Sequence, residues 1–452
     1  MSNFRPTDRK TDFLMPPSVD EWLPERHLAR FIVDVVEDLD LRSMTGSYRG
    51  SGSASYHPTV LLSVLVYGYA IGVFSSRKLE RATYDSVAFR FIAGNEHPDH
   101  DTIATFRRRF LKQIEELFVA VLKLAREMGV LKLGTVALDG TKIHANASRH
   151  SALSYEHAAK LEAQLKAEVA DLLAKAEAAD QADEPDGMSI PDELARRQDR
   201  LAKLAEARQT IEARAKERFQ QEQAEYEAKL AAREAKAAAT GRKPGGRAPQ
   251  PPNEGPLAHE QINLTDEESR IMPVAGGGFE QCYNAQAVVA ADSLLVVSTD
   301  VAQAANDKQQ LTPMVEKLKA LPEVFGKPET LLADNGYFSA ANVAACEAAG
   351  IVPLIATGRE PHNPSLAERF AAAPQAPKDP SSVQAMAHRL KTPDGKALYA
   401  LRKQIPEPVF GIIKSGLGFR QFLLRGLESV RREWRLVTMA CNLKRMFTLC
   451  PA

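Results

Sequence analysis

Two short apolar runs, TVALDG at residues 135–140 and TLLADNG at 330–336, each close on an aspartate. Runs of this length bounded by a turn signal read as buried strands, each delivering one carboxylate at its exposed end. A third acid, Glu407, stands in YALRKQIPEPVFGIIK and opens a stretch that reads as a helix. A fold that brings two strand ends and this helix together gathers three carboxylates. Without a permanent cation they repel and raise one another's pKa values, so the grouping points to hard divalent ions bound through oxygen. Two such ions about 4 Å apart align an attacking and a leaving oxygen for in-line displacement at phosphorus.

For any single aspartate the ordinary role is a turn or a helix cap, so the surroundings decide. The residues after Asp139 are basic and polar (GTKIHANASRH), and Asp334 leads into NGYFS, where Gly336 permits close backbone approach. Around Glu407 stand Tyr399, Arg402, Lys403 and Lys414. Such groups stack on a base or hold phosphate. GGGFE at 276–280 lacks the strand, helix and lysine of a phosphate loop, which argues against nucleoside triphosphate use.

Taken in order, these three motifs resemble the bacterial DDE-type insertion-sequence transposases of the insertion-sequence-five kind. Their signature near the third acid is Tyr, two residues, Arg, three residues, Glu, six residues, Lys. Tyr399 with Arg402 keeps the first interval and Glu407 with Lys414 the last, while four residues separate Arg402 from Glu407 and Lys403 sits at the family's distance. The Arg role is therefore open between Arg402 and Lys403. GFRQFLLRGLESVRREWRLVTMACNLKRM is similar to the family's carboxy-terminal helix. The resemblance implies an α/β fold, with an RNase H-like mixed β-sheet catalytic domain and an all-helical N-terminal domain; to these the spacing of residues 155–239 adds an inserted helical coiled-coil hairpin. It further implies that Asp139, Asp334 and Glu407 hold two Mg²⁺ (or Mn²⁺) ions, that Tyr399 stacks on a terminal base, and that Lys414 with Arg402 or Lys403 holds phosphates. The implied partners are DNA, as terminal inverted repeats and target, and a second copy of the chain in the DNA complex. A plain metal nuclease of the same fold, or a non-catalytic DNA-binding or coiled-coil scaffold, is the alternative; joining of a 3′-hydroxyl to target DNA separates transposase from nuclease.

At 452 residues the chain exceeds a usual single core, so two or three domains are expected. No run of about 18 apolar residues suggests a membrane span, and the N-terminus lacks an apolar signal core. Cys282, Cys346, Cys441 and Cys450 are scattered without a CxxC pair. This usage fits a reducing bacterial cytoplasm, with nucleoid association implied by the family. The 58 basic and 58 acidic residues cancel overall, yet residues 401–452 hold ten basic residues against three acids. That balance makes Arg431, Arg432 and Arg435 candidate phosphate contacts. The plainer alternative is a solvated helix face with Phe422, Leu423, Leu427, Val430 and Trp434 turned to the core, and one helix can do both.

The domain pattern follows from texture. Residues 1–130 alternate helical runs with short breaks, with Ser76 and Asp101 placed as helix caps. Arg77, Lys78, Arg107 and Arg108 on these helices suit a helix-turn-helix-like unit that binds the DNA end; a packing or dimerisation domain has the same pattern. Residues 131–452 carry the catalytic domain, with strands TVALD, EQCYNAQAVVA, SLLVVSTDV, ETLLAD and IVPLIAT. Three strands, helix, strand, helix, strand, helix is the RNase H-like order that the resemblance implies, and such a mixed sheet puts the first and fourth strands side by side, making Asp139 and Asp334 neighbours. Residues 155–239 interrupt this order. Leu161, Leu165, Val169 and Leu172, then Leu194, Leu201, Leu204, Ile211 and Ala215, give the spacing of an antiparallel coiled-coil hairpin with its tip at EPDGMSIPD, suited to packing, self-association or DNA grip. Residues 240–257, rich in Pro and Gly, read as a flexible linker.

Overall fold

The structure, a computed structural model, describes residues 18–48, 55–148, 151–182, 190–241, 245–274, 276–358, 375 and 377–450. It divides into two compact units, one joining residues 1–144 with 283–452 and the other spanning 145–282. The strands are β1 (Thr135–His144), β2 (Ala152–Ser154), β3 (Gln261–Asn263), β4 (Arg270–Pro273), β5 (Phe279–Ala290), β6 (Val296–Ala302), β7 (Thr330–Ala333) and β8 (Val352–Ile355). The helices are α1 (Leu28–Asp38), α2 (Arg42–Thr45), α3 (Pro58–Ile71), α4 (Ser76–Asp85), α5 (Val87–Ile92), α6 (His100–Glu127), α7 (Tyr155–Ala182), α8 (Ile190–Thr240), α9 (Leu311–Lys319), α10 (Ala340–Ala348), α11 (Ser382–Arg389), α12 (Pro393–Ala400), α13 (Pro406–Gly411) and α14 (Leu427–Leu449).

In the larger unit the sheet runs β6-β5-β1-β7-β8. The pairs β1–β7 and β7–β8 are parallel, and β5–β6 is antiparallel. A parallel pair needs a crossover, and α9 and α10 supply the helices between β6, β7 and β8. The predicted order is met, and β1 lies beside β7 with Ala137 opposite Leu332. Val136, Ala137, Leu138, Leu331, Leu332 and Ala333 are fully enclosed, as strands near the middle of such a sheet must be.

The N-terminal region is helical, as expected. Helix α3 is apolar on all sides, PTVLLSVLVYGYAI, and such a helix is stable only when surrounded. It packs against α1, α5 and α14. Helix α14 is enclosed in turn, touching α3, α6 and β6, with Val430, Trp434, Val437 and Leu443 at zero or 1% exposure. Polar pins fix its register. Asn442 accepts from Val296 N–H and donates to its carbonyl, both at 2.8 Å, and the Trp434 indole donates to Gln286 O at 2.9 Å. The caps fall slightly upstream of the expected positions: Asp99, not Asp101, accepts from Thr102 N–H to cap α6, and Ser75 precedes α4 without a side-chain cap bond. No single helix among the described residues is long and apolar enough to cross a membrane.

In the smaller unit α7 packs on α8 around Leu165, Leu204, Ala207 and Ile211, with Leu161 and Leu201 at the margin and Leu153 and Ile262 of the β2–β3 ribbon closing one end. Tyr155 bonds Glu212, Glu162 bonds Arg208 and Glu168 bonds Arg197, so partners descend α7 as they climb α8. The predicted tip lies largely outside the described residues; of the linker, Thr240 ends α8 and the described residues after it have no regular structure.

Candidate catalytic site

The β1–β7 register, carried two residues past Ala137 and Leu332, sets Asp139 beside Asp334. Asp334 follows β7 directly and caps the short turn Asn335–Tyr337, accepting from Gly336 N–H at 2.9 Å. Glu407 lies in the first turn of α13. One group joins the three. Arg402, in the 3-10 turn Leu401–Gln404, reaches Asp139 Oδ2 at 3.0 Å and Asp334 Oδ2 at 3.4 Å through Nη2, and Glu407 Oε1 at 3.5 Å through Nη1. The two aspartate oxygens share a single nitrogen, so they lie no farther apart than those two distances laid end to end.

Exposure rises across the set, from 14% for the Asp139 side chain through 39% for Asp334 to 52% for Glu407. Asp139 therefore stands at the closed end and Glu407 at the open one. Burial, the largest influence, pushes the Asp139 carboxyl up to about 6, with the charges of Asp334 and Asp307 adding to it and Arg402 and the Gly140 N–H opposing. An ion pair with one guanidinium does not offset the desolvation of this carboxylate.

Behind Asp139 lies a polar floor. Asp307 Oδ1 accepts from Asn284 Nδ2 at 2.7 Å and Gln286 Nε2 at 2.8 Å, and the Tyr337 hydroxyl donates to Gln286 Oε1. A Cβ on Gly140 would stand 2.3 Å from Gln286 Nε2 and 2.7 Å from Asp307 Oδ1, so only glycine fits beside the first aspartate. Tyr337 is fully buried, and burial with the nearby carboxylates pushes its hydroxyl well above the ordinary range. Asn284 and Gln286 are enclosed as well. Sequence reading missed Asp307, Asn284 and Gln286; the available signal was two polar residues two apart on one face of an otherwise apolar strand, in CYNAQAVV.

The remaining expected contacts separate. Arg402 turns into the acid cluster, whereas Lys403 is exposed. Tyr399 donates to the carbonyl of Ala333 at 3.4 Å, one residue before Asp334, and Lys414 donates to Lys142 O at 2.7 Å. Arg77, Lys78 and Arg108 are exposed. Arg107 is a correction to the expected DNA surface: only 9% exposed, it donates to Tyr69 Oη at 3.0 Å beside the fully buried Glu433. The C-terminal arginines are likewise engaged in the fold. Arg431 pairs with Asp300 and Glu428, and Arg432 and Arg435 both hold Glu115 of α6. The ten-to-three balance left out Asp300 and Glu115, which fold against these arginines from outside the segment.

An all-carboxylate set suits a hard divalent ion, and the guanidinium marks where the cluster demands a cation. Among the described residues no three His, Cys, Asp or Glu side chains are drawn close enough to hold a metal ion as they stand. The three acids are spaced around Arg402 instead.

Residues 17–109 match the family described as a transposase domain (DUF772), and residues 257–443 match the transposase DDE domain. The second match contains Asp334, Arg402 and Glu407; Asp139 lies outside it. Comparison with curated proteins and with solved structures gave no match.

Proposed function

For this chain, which belongs to the insertion-sequence DDE transposases, we propose that Asp139, Asp334 and Glu407 are the catalytic acids, cutting the ends of its own element and joining the 3′-hydroxyl to target DNA. The observation that carries this reading is the convergence of the three acids on one guanidinium from β1, β7 and α13. The chain acts on DNA as a transposase, and an RNase H-like fold follows from the DDE family.

Divalent ions, Mg²⁺ or Mn²⁺, held by these three carboxylates would activate the attacking oxygen and stabilise the leaving one. The chain's own residues do the rest. At the buried end of the triad Gly140 lets Asp139 sit close to the Asp307 floor and donates its N–H to the Asp139 carboxylate, while Glu407 at the open end faces the substrate. Tyr399 stacks on a terminal base, and Lys403 and Lys414 hold phosphates beside the cut. Arg77, Lys78 and Arg108 are surface cations suited to the element's terminal repeats. Arg107, Arg431, Arg432 and Arg435 are left out of this surface because the fold uses them. The helices of residues 155–239 are taken as an antiparallel coiled-coil hairpin serving grip or assembly of a homodimer on DNA.

Purified protein incubated with DNA spanning the borders of its own coding region tests the reading. Asp139→Asn, Asp334→Asn and Glu407→Gln should each remove cleavage and strand transfer while DNA binding persists. Cleavage without any joined product would make the protein a nuclease, and full activity in any of the three variants would remove that acid from the site.

A further inference from the structure

Resting on the reading of Asp139, Asp334 and Glu407 as the metal-holding acids, we infer that Arg402 is an internal counter-ion that competes with the metal and is drawn off by a DNA phosphate, so that metal entry follows DNA engagement. Its guanidinium touches all three acids and is only 12% exposed. An Arg cannot shed its charge, so a divalent ion among the same oxygens would stand against a fixed cation. The two cations exclude each other.

The way Arg402 is held suits exchange. It makes no two-pronged pair with any one carboxylate; its contacts lengthen from 3.0 to 3.5 Å, and its Nε is buried without a hydrogen-bond partner. A phosphate offers the parallel two-oxygen contact that the triad does not. The turn that carries it, Leu401–Gln404, has no buried residue, so the side chain can leave without opening the core. Once it leaves, three carboxylates face one another unneutralised, and that repulsion favours a divalent ion. DNA and metal then bind with positive coupling, and the coupling is reciprocal.

The experiment uses full-length protein, a short DNA duplex and Mn²⁺, with free Mn²⁺ read by electron paramagnetic resonance. Mn²⁺ bound by the duplex itself is subtracted with the Asp139→Asn protein plus the same duplex. In the wild type the duplex should tighten Mn²⁺ binding roughly tenfold, within the usual range of such couplings. Arg402→Gln should bind Mn²⁺ about as tightly without DNA as the wild type does with it, and the duplex should then add less than about twofold. Wild-type Mn²⁺ affinity that ignores the duplex, or an Arg402→Gln protein that binds no tighter than the wild type, overturns the competition. A reciprocal measurement needs no variant: wild-type affinity for the duplex should rise by the same factor when Mn²⁺ replaces chelator, and an unchanged affinity counts equally against it. If the Asp139→Asn, Asp334→Asn double variant alone binds Mn²⁺ like the wild type, the acids do not hold metal and the underlying reading fails. If it loses Mn²⁺ while the Arg402 results fail, only the competition falls.

Discussion

The helices before β1 and the helical pair between β2 and β3 share a helical texture in sequence and stand apart from the strands. The fold treats them differently. The N-terminal helices belong to the same compact unit as the catalytic sheet, whereas residues 145–282 form a unit of their own. The difference lies in where each apolar face finds its partner. Helix α3 is buried along nearly its whole length and α14 fills the space between α3, α6 and β6. In the insertion, α7 and α8 bury Leu165, Leu204, Ala207 and Ile211 chiefly against each other and expose most of the rest. A segment is separable when its apolar face closes on itself, and helical texture alone does not report that.

Two deletions test this contrast and should give its largest effect. Removing residues 1–130 strips α3 and α6 from α14, and each buried apolar side chain uncovered there forfeits about 1.5–3 kcal/mol. The remaining chain should lose cooperative unfolding altogether. Replacing residues 155–239 with a short flexible link should leave the larger unit melting cooperatively near its original temperature. Circular dichroism melts distinguish the outcomes, and a cooperative melt in the first protein or its loss in the second would reverse the comparison.

The next effect comes from single side chains that tie the N-terminal helices to α14. Glu433 is fully buried, accepting from Leu423 and Leu424 N–H at 3.0 Å and lying 3.4 Å from the Tyr69 hydroxyl, which accepts from Arg107. Burial holds its carboxyl above the ordinary value against those partners. Glu433→Ala removes the buried carboxylate on which Arg107 acts through its charge and leaves two N–H groups unmet, so a loss of about 3–5 kcal/mol is expected in denaturant unfolding. Glu433→Gln keeps an acceptor and should lose markedly less. Equal losses from both variants would show that the network is not what joins these elements.

Inside the insertion, Leu204→Ala or Ile211→Ala opens a cavity at 2% exposure and should destabilise by about 2–4 kcal/mol. Protease sensitivity between residues 155 and 239 should rise while the larger unit's transition stays put. A matching shift of the larger unit's transition would mean that the units do not unfold separately.

Sequence reading reached the sheet more fully than the site around it. Buried strands announce themselves by runs such as VAL and LLA, and the strand order then makes Asp139 and Asp334 neighbours. Arg402 against Lys403 was undecidable from spacing, because a single 3-10 turn separates α12 from α13 and its pitch differs from a helix. Asp307 stands in a connection before α9, where an acid resembles any other loop aspartate. The ion pairs and hydrogen bonds of Arg107 and the arginines of α14 were not legible for one reason: Tyr69, Glu115 and Asp300 are 38 to well over a hundred residues away. Charge patterns are local in sequence, but charge compensation is tertiary.

The smallest effect examines the larger unit from within its site. With chelator present, Asp139 in the folded chain takes up its proton at about 6, above its ordinary 3.8. Because the folded value is the higher one, the stability associated with this group is fully present below pH 3.8 and is lost as pH rises through about 6. Ionised Asp139 is thus a burden on the fold at neutral pH. The shift sets an upper bound of roughly 3 kcal/mol, and the loss of one partner for Arg402 leaves an expected gain of about 1–2 kcal/mol for Asp139→Asn at pH 7.5. The gain should shrink between pH 6 and pH 4 and vanish below, where the wild type is protonated too. It should appear only in the larger unit's transition, since β1 belongs there up to His144. An Asp139→Asn protein no more stable than the wild type at pH 7.5, with no change in the difference down to pH 4, would show that this carboxylate is not held in a desolvated setting; a gain that appeared instead in the melting of residues 145–282 would break the division between the two regions.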